Sequence, residues 1–272
     1  MFKSLYRIQQ YPDRRYGEAV LNWKGVIVMI LVFVSEQFLA QAISVMITII
    51  NANFNRQFDL IELNLFTDLA TLGLLIFFFG RFFWENLRAF FKEFKAVYIA
   101  APILCYLGSM FLNYFVQIIL MMIRGSAEQT TNNELVADML QKQPLTLTFL
   151  TVILAPMIEE SIFRAGLCRP MTANKHVAVK SVGYIISVFL FALMHVYQYA
   201  FFATDASGAV YLTFNADEFL FILAYIPMAI GFAVCASICK NFWGSVLCHM
   251  LTNGVAVTMM LLLSLLQDYV GA

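Results

Sequence analysis

Long apolar stretches alternate with short polar ones along the chain. About seven of the apolar stretches approach the roughly 20 residues that a helix needs to cross the hydrocarbon core of a bilayer. The intervals between them are polar or contain helix breakers, such as Gly125 and Ser126. The pattern predicts an all-α fold, a polytopic bundle whose transmembrane helices cover residues 25–50, 66–84, 96–123, 145–166, 181–203, 217–239 and 242–266.

The composition supports a membrane protein. Hydrophobic residues make up 61% of the 272 residues and charged residues 12%, and the mean hydropathy is +0.78. Soluble domains carry about 25% charged and about 45–50% apolar residues, so in water this chain would expose too much apolar surface. Membrane lipids are the expected partners. The net charge of +0 gives no global attraction to nucleic acid, and we expect no nucleic-acid partner.

Charge and hydropathy divide the chain into three segments. Residues 1–24 form a basic leader, predicted to be cytoplasmic. Residues 25–266 form a single transmembrane helical domain, with a motif-bearing half at 145–266, and residues 267–272 form a short tail. The first apolar run is longer than the roughly 7–15 residues of a signal peptide's apolar core.

The distribution of Lys and Arg predicts the orientation. Basic residues favour cytoplasmic loops. When alternate polar segments are assigned to the two sides, 14 of the 17 basic residues fall on the side of the N-terminus and 3 on the other side. This assignment counts Arg164, Arg169, Lys175 and Lys180 in one cytoplasmic loop. We therefore expect a multi-pass protein of the cell membrane with a cytoplasmic N-terminus.

A few ionisable residues fall within the predicted helices. They are Glu36, Glu159, Glu160, His195 and His249. Such groups are costly at membrane depth and by default mark a functional site. Glu36 lies outside any motif, and an interhelical hydrogen bond is its expected role.

Two adjacent carboxylates lie in the fourth predicted helix. Glu160 and Arg164 are four residues apart, so they share a helix face and can pair. Glu159 points about 100° away and needs a partner on another helix. Pro156 predicts a kink just before the two carboxylates. The alternative is that both glutamates only anchor helix packing.

The fifth and seventh predicted helices carry the other candidates. The fifth contains Phe191-x-x-x-His195. The seventh contains His249-x-x-x-Asn253, and these two side chains point into one place because they are one turn apart. They could polarise a carbonyl group and stabilise its developing oxyanion. Interhelical hydrogen bonding is the structural alternative for each residue.

Together the motifs Glu-Glu-x-x-x-Arg, Phe-x-x-x-His and His-x-x-x-Asn resemble the family of CAAX-prenyl endopeptidases and bacteriocin-processing or self-immunity proteins, which are intramembrane proteases. The resemblance covers residues 145–266. It implies that Glu159 is the catalytic carboxylate, with His195 and His249 as essential partners. Asn253 completes the site, and Glu160 and Arg164 match the remaining, supporting motif positions.

The chemistry of these residues agrees with the resemblance. Glu159 and His195 would orient and deprotonate a water, while His249 and Asn253 would hold the scissile carbonyl. The expected reaction is peptide-bond hydrolysis without a covalent intermediate, on a hydrophobic or prenylated peptide or on a bacteriocin-related one. The motifs do not choose between these substrates.

The cofactor is left open by the sequence. Two His and one Glu could bind zinc with an open fourth position, and the family is commonly described as metalloproteases. The chain lacks His-Glu-x-x-His, however, which places two zinc ligands on one helical turn. A metal-free site is equally compatible with these residues.

Two other classes of function compete with the protease. Buried Glu and His also mark the proton or ion relays of transporters, although the chain shows no internal repeat of the kind that many transporters contain. The fold could also serve a non-catalytic membrane partner protein.

One distance argues against a shared site. Glu159 lies five residues from Arg164, whereas His195 lies fifteen residues beyond Lys180, or roughly 22 Å along a helix. The fifth helix must therefore be tilted, or its cytoplasmic end must project beyond the bilayer.

Overall fold

The computed structural model describes residues 3–54, 57–125, 130–205 and 210–270. The chain is mostly helical. Within these residues, seven helices are long and apolar enough to cross a membrane. This confirms the predicted all-α, polytopic architecture. Ser126, which the sequence assigned to a polar interval, lies outside the described residues.

The elements follow one another with short connections. The helices are α1 (Trp23–Asn53), α2 (Leu60–Lys92), α3 (Val97–Arg124), α4 (Thr131–Lys142), α5 (Pro144–Thr172), α6 (Val177–Met194), α7 (Tyr197–Phe201), α8 (Ala216–Leu220), α9 (Ile222–Cys239) and α10 (Phe242–Val270). Two antiparallel hairpins accompany them, β1 (Tyr6–Gln9) with β2 (Glu18–Leu21), and β3 (Phe202–Thr204) with β4 (Val210–Leu212). The spanning helices are α1, α2, α3, α5, α6, the α8–α9 pair and α10.

Several predicted helix ends were wrong, including both ends of the second span, which was expected over residues 66–84 and covers Leu60–Lys92. The fifth span was expected to reach residue 203, but α6 ends at Met194, and the chain continues as α7 and β3. The aromatic residues after His195 prolong the apolar pattern without prolonging the helix. The fourth span was expected to end at residue 166, but α5 continues to Thr172. The charges that suggested its end are buried and paired, as described below.

The last helix continues into the segment predicted as a tail. The sequence placed a short tail at residues 267–272, whereas α10 extends to Val270. Residues 271–272 lie outside the described residues.

Helix α5 is irregular in the region of the two glutamates. Residues Leu150–Leu154 and Ser161–Cys168 are wound as π-helical turns. The α-helical segment Ala155–Glu160 lies between them and contains Pro156. Isolated π turns are rare and frequently occur at functional sites. The winding of the helix therefore changes on both sides of the carboxylates, while the kink expected from Pro156 stays a prediction.

The predicted basic leader folds as the β1–β2 hairpin against the end of α5. Arg169 of α5 donates from Nε to Glu18 Oε1 at 2.7 Å, and its Nη2 also contacts the Glu18 carboxylate. Tyr11 donates its hydroxyl to Glu18 Oε2 at 2.7 Å. Burial and the adjacent Glu18 raise the pKa of Tyr11 above its ordinary value. Glu18 and Arg169 are both buried, so the hairpin supplies the counter-ion for a charge inside the protein.

The hairpin also contacts the turn between α9 and α10. Arg14 donates to the backbone oxygen of Cys239 at 2.6 Å, and Lys240 forms an ion pair with Asp13 at 2.8 Å. The hydrogen bond from Lys240 holds the pKa of Asp13 below its ordinary value. Asn86 of α2 bonds both backbone groups of Ala19 in β2. The ends of α2, α5, α9 and α10 on this side are thus joined through one hairpin.

These contacts correct the charge count. Arg164 and Arg169 were assigned to a cytoplasmic loop, but both are buried within α5. Their removal from the count lowers the majority side from 14 to 12 basic residues against 3, so the asymmetry keeps its sign. The cytoplasmic position of the N-terminus stays a prediction.

The interior and the outer surface of the bundle are both apolar. Buried rings at the centre include Phe79, Phe163 and Phe232. On the outside, Phe38 of α1 is 72% exposed and Met122 of α3 is 79% exposed. Exposed apolar side chains of this size on spanning helices are expected to contact lipid tails.

We expect Glu18→Ala to destabilise the protein by about 3–5 kcal/mol, because it leaves the buried Arg169 without a counter-ion. Asp138→Ala is the matched control, since Asp138 pairs with Lys142 on the exposed face of α4. Thermal unfolding of the purified protein in detergent measures the difference. Equal midpoints for the two variants would contradict a structural role for the hairpin.

The orientation is tested with single cysteines in the two exposed connections. A membrane-impermeant thiol reagent should label Val210→Cys in intact cells, because β4 lies on the predicted outer side. Lys175→Cys, in the connection between α5 and α6, should react only after the cells are opened. The parent protein corrects for its five natural thiols, four of which are buried. The reverse pattern would place the N-terminus outside.

Candidate active site

The predicted pair of Glu160 and Arg164 is present in the interior. Arg164 Nη1 lies 3.2 Å from Glu160 Oε1, and neither side chain is exposed. Nη2 of Arg164 donates to the backbone oxygen of Ala229 at 3.0 Å. The guanidinium carbon lies 4.3 Å from the centre of the Phe191 ring. The buried positive charge is therefore met by a carboxylate, a carbonyl and an aromatic face.

His249 joins the same carboxylate from α10. Its Nδ1 lies 3.0 Å from Glu160 Oε1. Because a carboxylate only accepts, Nδ1 carries the proton, and in the neutral ring Nε2 presents a lone pair. The imidazole stacks on Phe232, with ring centres 4.3 Å apart. Glu160 thus orients His249 as well as neutralising Arg164.

The end of α6 orients His195. The last carbonyls of a helix lack intrahelical donors, and Nδ1 of His195 donates to one of them, the backbone oxygen of Phe191, at 2.8 Å. This bond leaves Nε2 with its lone pair. Tyr225 of α9 stacks on the imidazole at 4.5 Å, and its hydroxyl is 2.8 Å from Thr130 Oγ1. The ring is therefore fixed at its Nδ1 edge and on one face.

Glu159 faces His195 rather than Arg164. Its Oε2 lies 3.9 Å from His195 Nε2, and each side chain is 17% exposed. Oε2 is buried and makes no hydrogen bond within the part of the chain that the structure describes. The separation is too long for a direct hydrogen bond. One water placed between the two atoms could donate a hydrogen bond to each of them.

Phe191 connects the two imidazoles. Its ring centre lies 4.7 Å from that of His195 and 5.7 Å from that of His249. The Phe-x-x-x-His motif therefore has a structural explanation. The backbone oxygen of Phe191 selects the tautomer of His195, and its ring fills the space between both histidines and Arg164.

Asn253 makes a contact that the sequence did not predict. Its Nδ2 donates to the backbone oxygen of Thr151 in α5 at 2.8 Å. The predicted contact with a substrate carbonyl stays a prediction. Asn253 therefore contacts α5, the helix that carries Glu159, by donating a hydrogen bond to its backbone.

The sequence reasoning missed three residues near the site. Tyr225 and Thr151 carry no motif that could have identified them. Asp68 is the ninth residue of α2, and its signal was an ionisable group in an apolar helix. It interacts electrostatically with Glu36 and Glu159. The interhelical hydrogen bond expected for Glu36 is not formed within the described ranges.

The distances that argued against a shared site are explained by the longer α5. With its end at Thr172, Glu159 lies 13 residues before the end of the helix and 15 after its start at Pro144. His195 follows directly on the 18-residue α6. The end of α5 projects to the hairpin, so Glu159 and His195 reach similar depths.

The residues do not fit a zinc site. No group of three or more His, Cys, Asp or Glu side chains among the described residues is arranged to hold a metal ion. We therefore derive no catalytic step through a metal.

The comparisons with known proteins bear on the half of the chain that carries the motifs. Residues 141–255 match the family model described as type II CAAX prenyl endopeptidase Rce1-like. No curated protein and no solved structure matches the chain. The matched residues, fewer than half of the 272, include Glu159, His195 and His249. The resemblance carried by the three motifs is thereby confirmed: residues 141–255 are similar to the Rce1-like type II CAAX prenyl endopeptidases, in a chain whose described residues include seven candidate membrane-spanning helices.

Proposed function

We propose that this protein is an intramembrane endopeptidase that hydrolyses a peptide bond of a membrane-associated substrate. One observation carries the proposal. Glu159 Oε2 and His195 Nε2 are two acceptor atoms 3.9 Å apart, and Oε2 is buried without a hydrogen-bond partner among the described residues. Both atoms are suited to a water that donates to each. The match to a family of endopeptidases supports the same reaction.

The first step adds that water to the substrate. Its oxygen bonds to the scissile carbonyl carbon while Glu159 takes one proton and His195 Nε2 accepts a hydrogen bond from the other. The carbon–nitrogen bond then breaks, and Glu159 returns its proton to the departing nitrogen. The immediate products are a carboxylic acid, which retains the second proton of the water, and an amine; proton transfer between them gives a carboxylate and an ammonium group, and no bond to the protein forms.

His249 is placed to stabilise the oxyanion. In its imidazolium form it donates Nδ1–H to Glu160 and Nε2–H to the carbonyl oxygen that becomes negative. The hydrogen bond to Glu160, whose Oε1 lies 3.0 Å from Nδ1, fixes the orientation of the ring. A donor that is already oriented needs little reorganisation when charge develops. This assigns the two glutamates separate tasks.

We propose a CAAX-type prenylated peptide as the substrate and the cell membrane as its location. The description of the matched family supports this branch over the bacteriocin or immunity branch. A prenyl group is apolar, and α1 exposes apolar side chains such as Phe38 on the outside of the bundle. A substrate anchored in the bilayer could therefore approach between the helices.

We expect Glu159→Gln to lower kcat by about 10²–10⁴-fold, because an amide cannot accept the proton of the water. Purified protein in nanodiscs is incubated with prenylated and unprenylated peptides of one sequence, with and without a chelator, and the cleavage products are identified by mass spectrometry. Glu134→Gln, at an exposed position of α4, is the control. Undiminished cleavage by Glu159→Gln would refute the proposal, as would proton flux without cleavage when the protein is reconstituted in sealed proteoliposomes.

We expect His249→Ala to lower kcat by about 10²–10³-fold with little change in KM, because it removes a donor used at the oxyanion. His176→Ala is the matched control, since His176 is exposed in the connection between α5 and α6. Steady-state kinetics on the same peptide separate the two parameters. A rise in KM with unchanged kcat would show that His249 binds the substrate rather than the transition state.

A further inference from the structure

One backbone oxygen of α5 lacks its helical donor. At the end of the π-helical segment Leu150–Leu154, the N–H of Ala155 donates to the backbone oxygen of Leu150, five residues earlier. The next donor in this register belongs to residue 156. Residue 156 is proline, which has no N–H. The oxygen of Thr151 is thus left without a donor from position 156.

Asn253 supplies the missing donor from another helix. Its Nδ2 lies 2.8 Å from Thr151 O, a normal length for an N–H···O hydrogen bond. Within a membrane, a freed carbonyl finds no water in the hydrocarbon core and is satisfied by a neighbouring helix. The amide is a suitable side chain because it is neutral and donates, whereas a carboxylate could only accept.

The bond lies beside the catalytic residues. Asn253 follows His249 by one turn of α10, and these two residues bond to Thr151 and Glu160 of α5. Of the two attachment points on α5, Thr151 precedes the α-helical segment Ala155–Glu160 and Glu160 is its last residue. Glu159 belongs to this segment, so α10 holds the catalytic carboxylate from both sides.

We propose that Asn253 is a positioning residue that satisfies the Thr151 carbonyl orphaned by Pro156 and thereby holds the turn carrying Glu159. The inference deepens the proposed function and rests on it for the catalytic consequence. It differs from a direct contact between Asn253 and the substrate, because the effect of Asn253 then depends on Pro156. No direct contact with the reacting atoms would create that dependence.

The decisive experiment restores the missing backbone donor. Pro156→Ala gives residue 156 an N–H in register with Thr151 O, so Asn253 is no longer needed there. Four proteins are compared, namely the parent, Asn253→Ala, Pro156→Ala and the double variant. In the parent background we expect Asn253→Ala to lower kcat about 10–100-fold, since small displacements of a catalytic group cost rates of this order.

In the Pro156→Ala background, the same substitution should lower kcat by less than about 3-fold, because the two sites are coupled. An equal loss in both backgrounds would overturn the inference and assign Asn253 to the substrate oxyanion. Pro156→Ser replaces Pro156→Ala if the alanine variant does not fold.

Thermal unfolding tests the bond without any catalysis. Asn253→Ala should lower the Tm by about 2–8 °C, because it leaves a carbonyl unsatisfied inside the bundle. Thr258→Ala, on the exposed face of the same helix, should leave the Tm unchanged. An unchanged Tm for Asn253→Ala would overturn the inference even if no Pro156 variant folds. If the parent protein cleaves nothing, the proposed function fails, and the Tm values still decide whether the bond exists.

Discussion

The buried charge of Arg164 is the constraint on which the central part of the structure depends. A guanidinium without access to water is stable only when charged and polar partners surround it. Glu160 comes from its own helix, the backbone oxygen of Ala229 from α9, and the Phe191 ring from α6. His249 then binds the same carboxylate from α10. Four helices must therefore meet at one point for one charge to be accommodated.

The two adjacent glutamates have opposite environments for a geometric reason. Neighbouring residues on a helix point about 100° apart, so only Glu160 can reach Arg164. Glu159 faces the end of α6, where His195 presents the nitrogen that Phe191 leaves unprotonated. Because Arg164 pairs with Glu160, the carboxylate of Glu159 remains able to accept hydrogen bonds. Such a site needs helices that are held firmly in place. The β1–β2 hairpin contributes to this because it joins helix ends that are distant in sequence.

Much of the site was predictable because its motifs are local. The i, i+4 spacing of Glu160 and Arg164 sets their relative direction on any helix, and the separation of Phe191 and His195 does the same. Pro156 predicted a kink because proline has no backbone N–H to donate to the preceding turn. The partner of the freed carbonyl was not predictable, since Asn253 lies 102 residues away. The role of the N-terminal segment was missed because its basic residues look like those of any cytoplasmic leader.

The sequence by itself determined the class of the protein, the number of spanning helices and the identity of the charged residues within them. Those features follow from hydropathy and from short helical spacings, which act between neighbours in the chain. Only the tertiary structure decided that α5 extends to Thr172 and that Arg169 is buried against Glu18. It also decided that Glu159 lies next to His195, with Oε2 and Nε2 3.9 Å apart. These are contacts between distant segments, and their geometry depends on how whole helices pack.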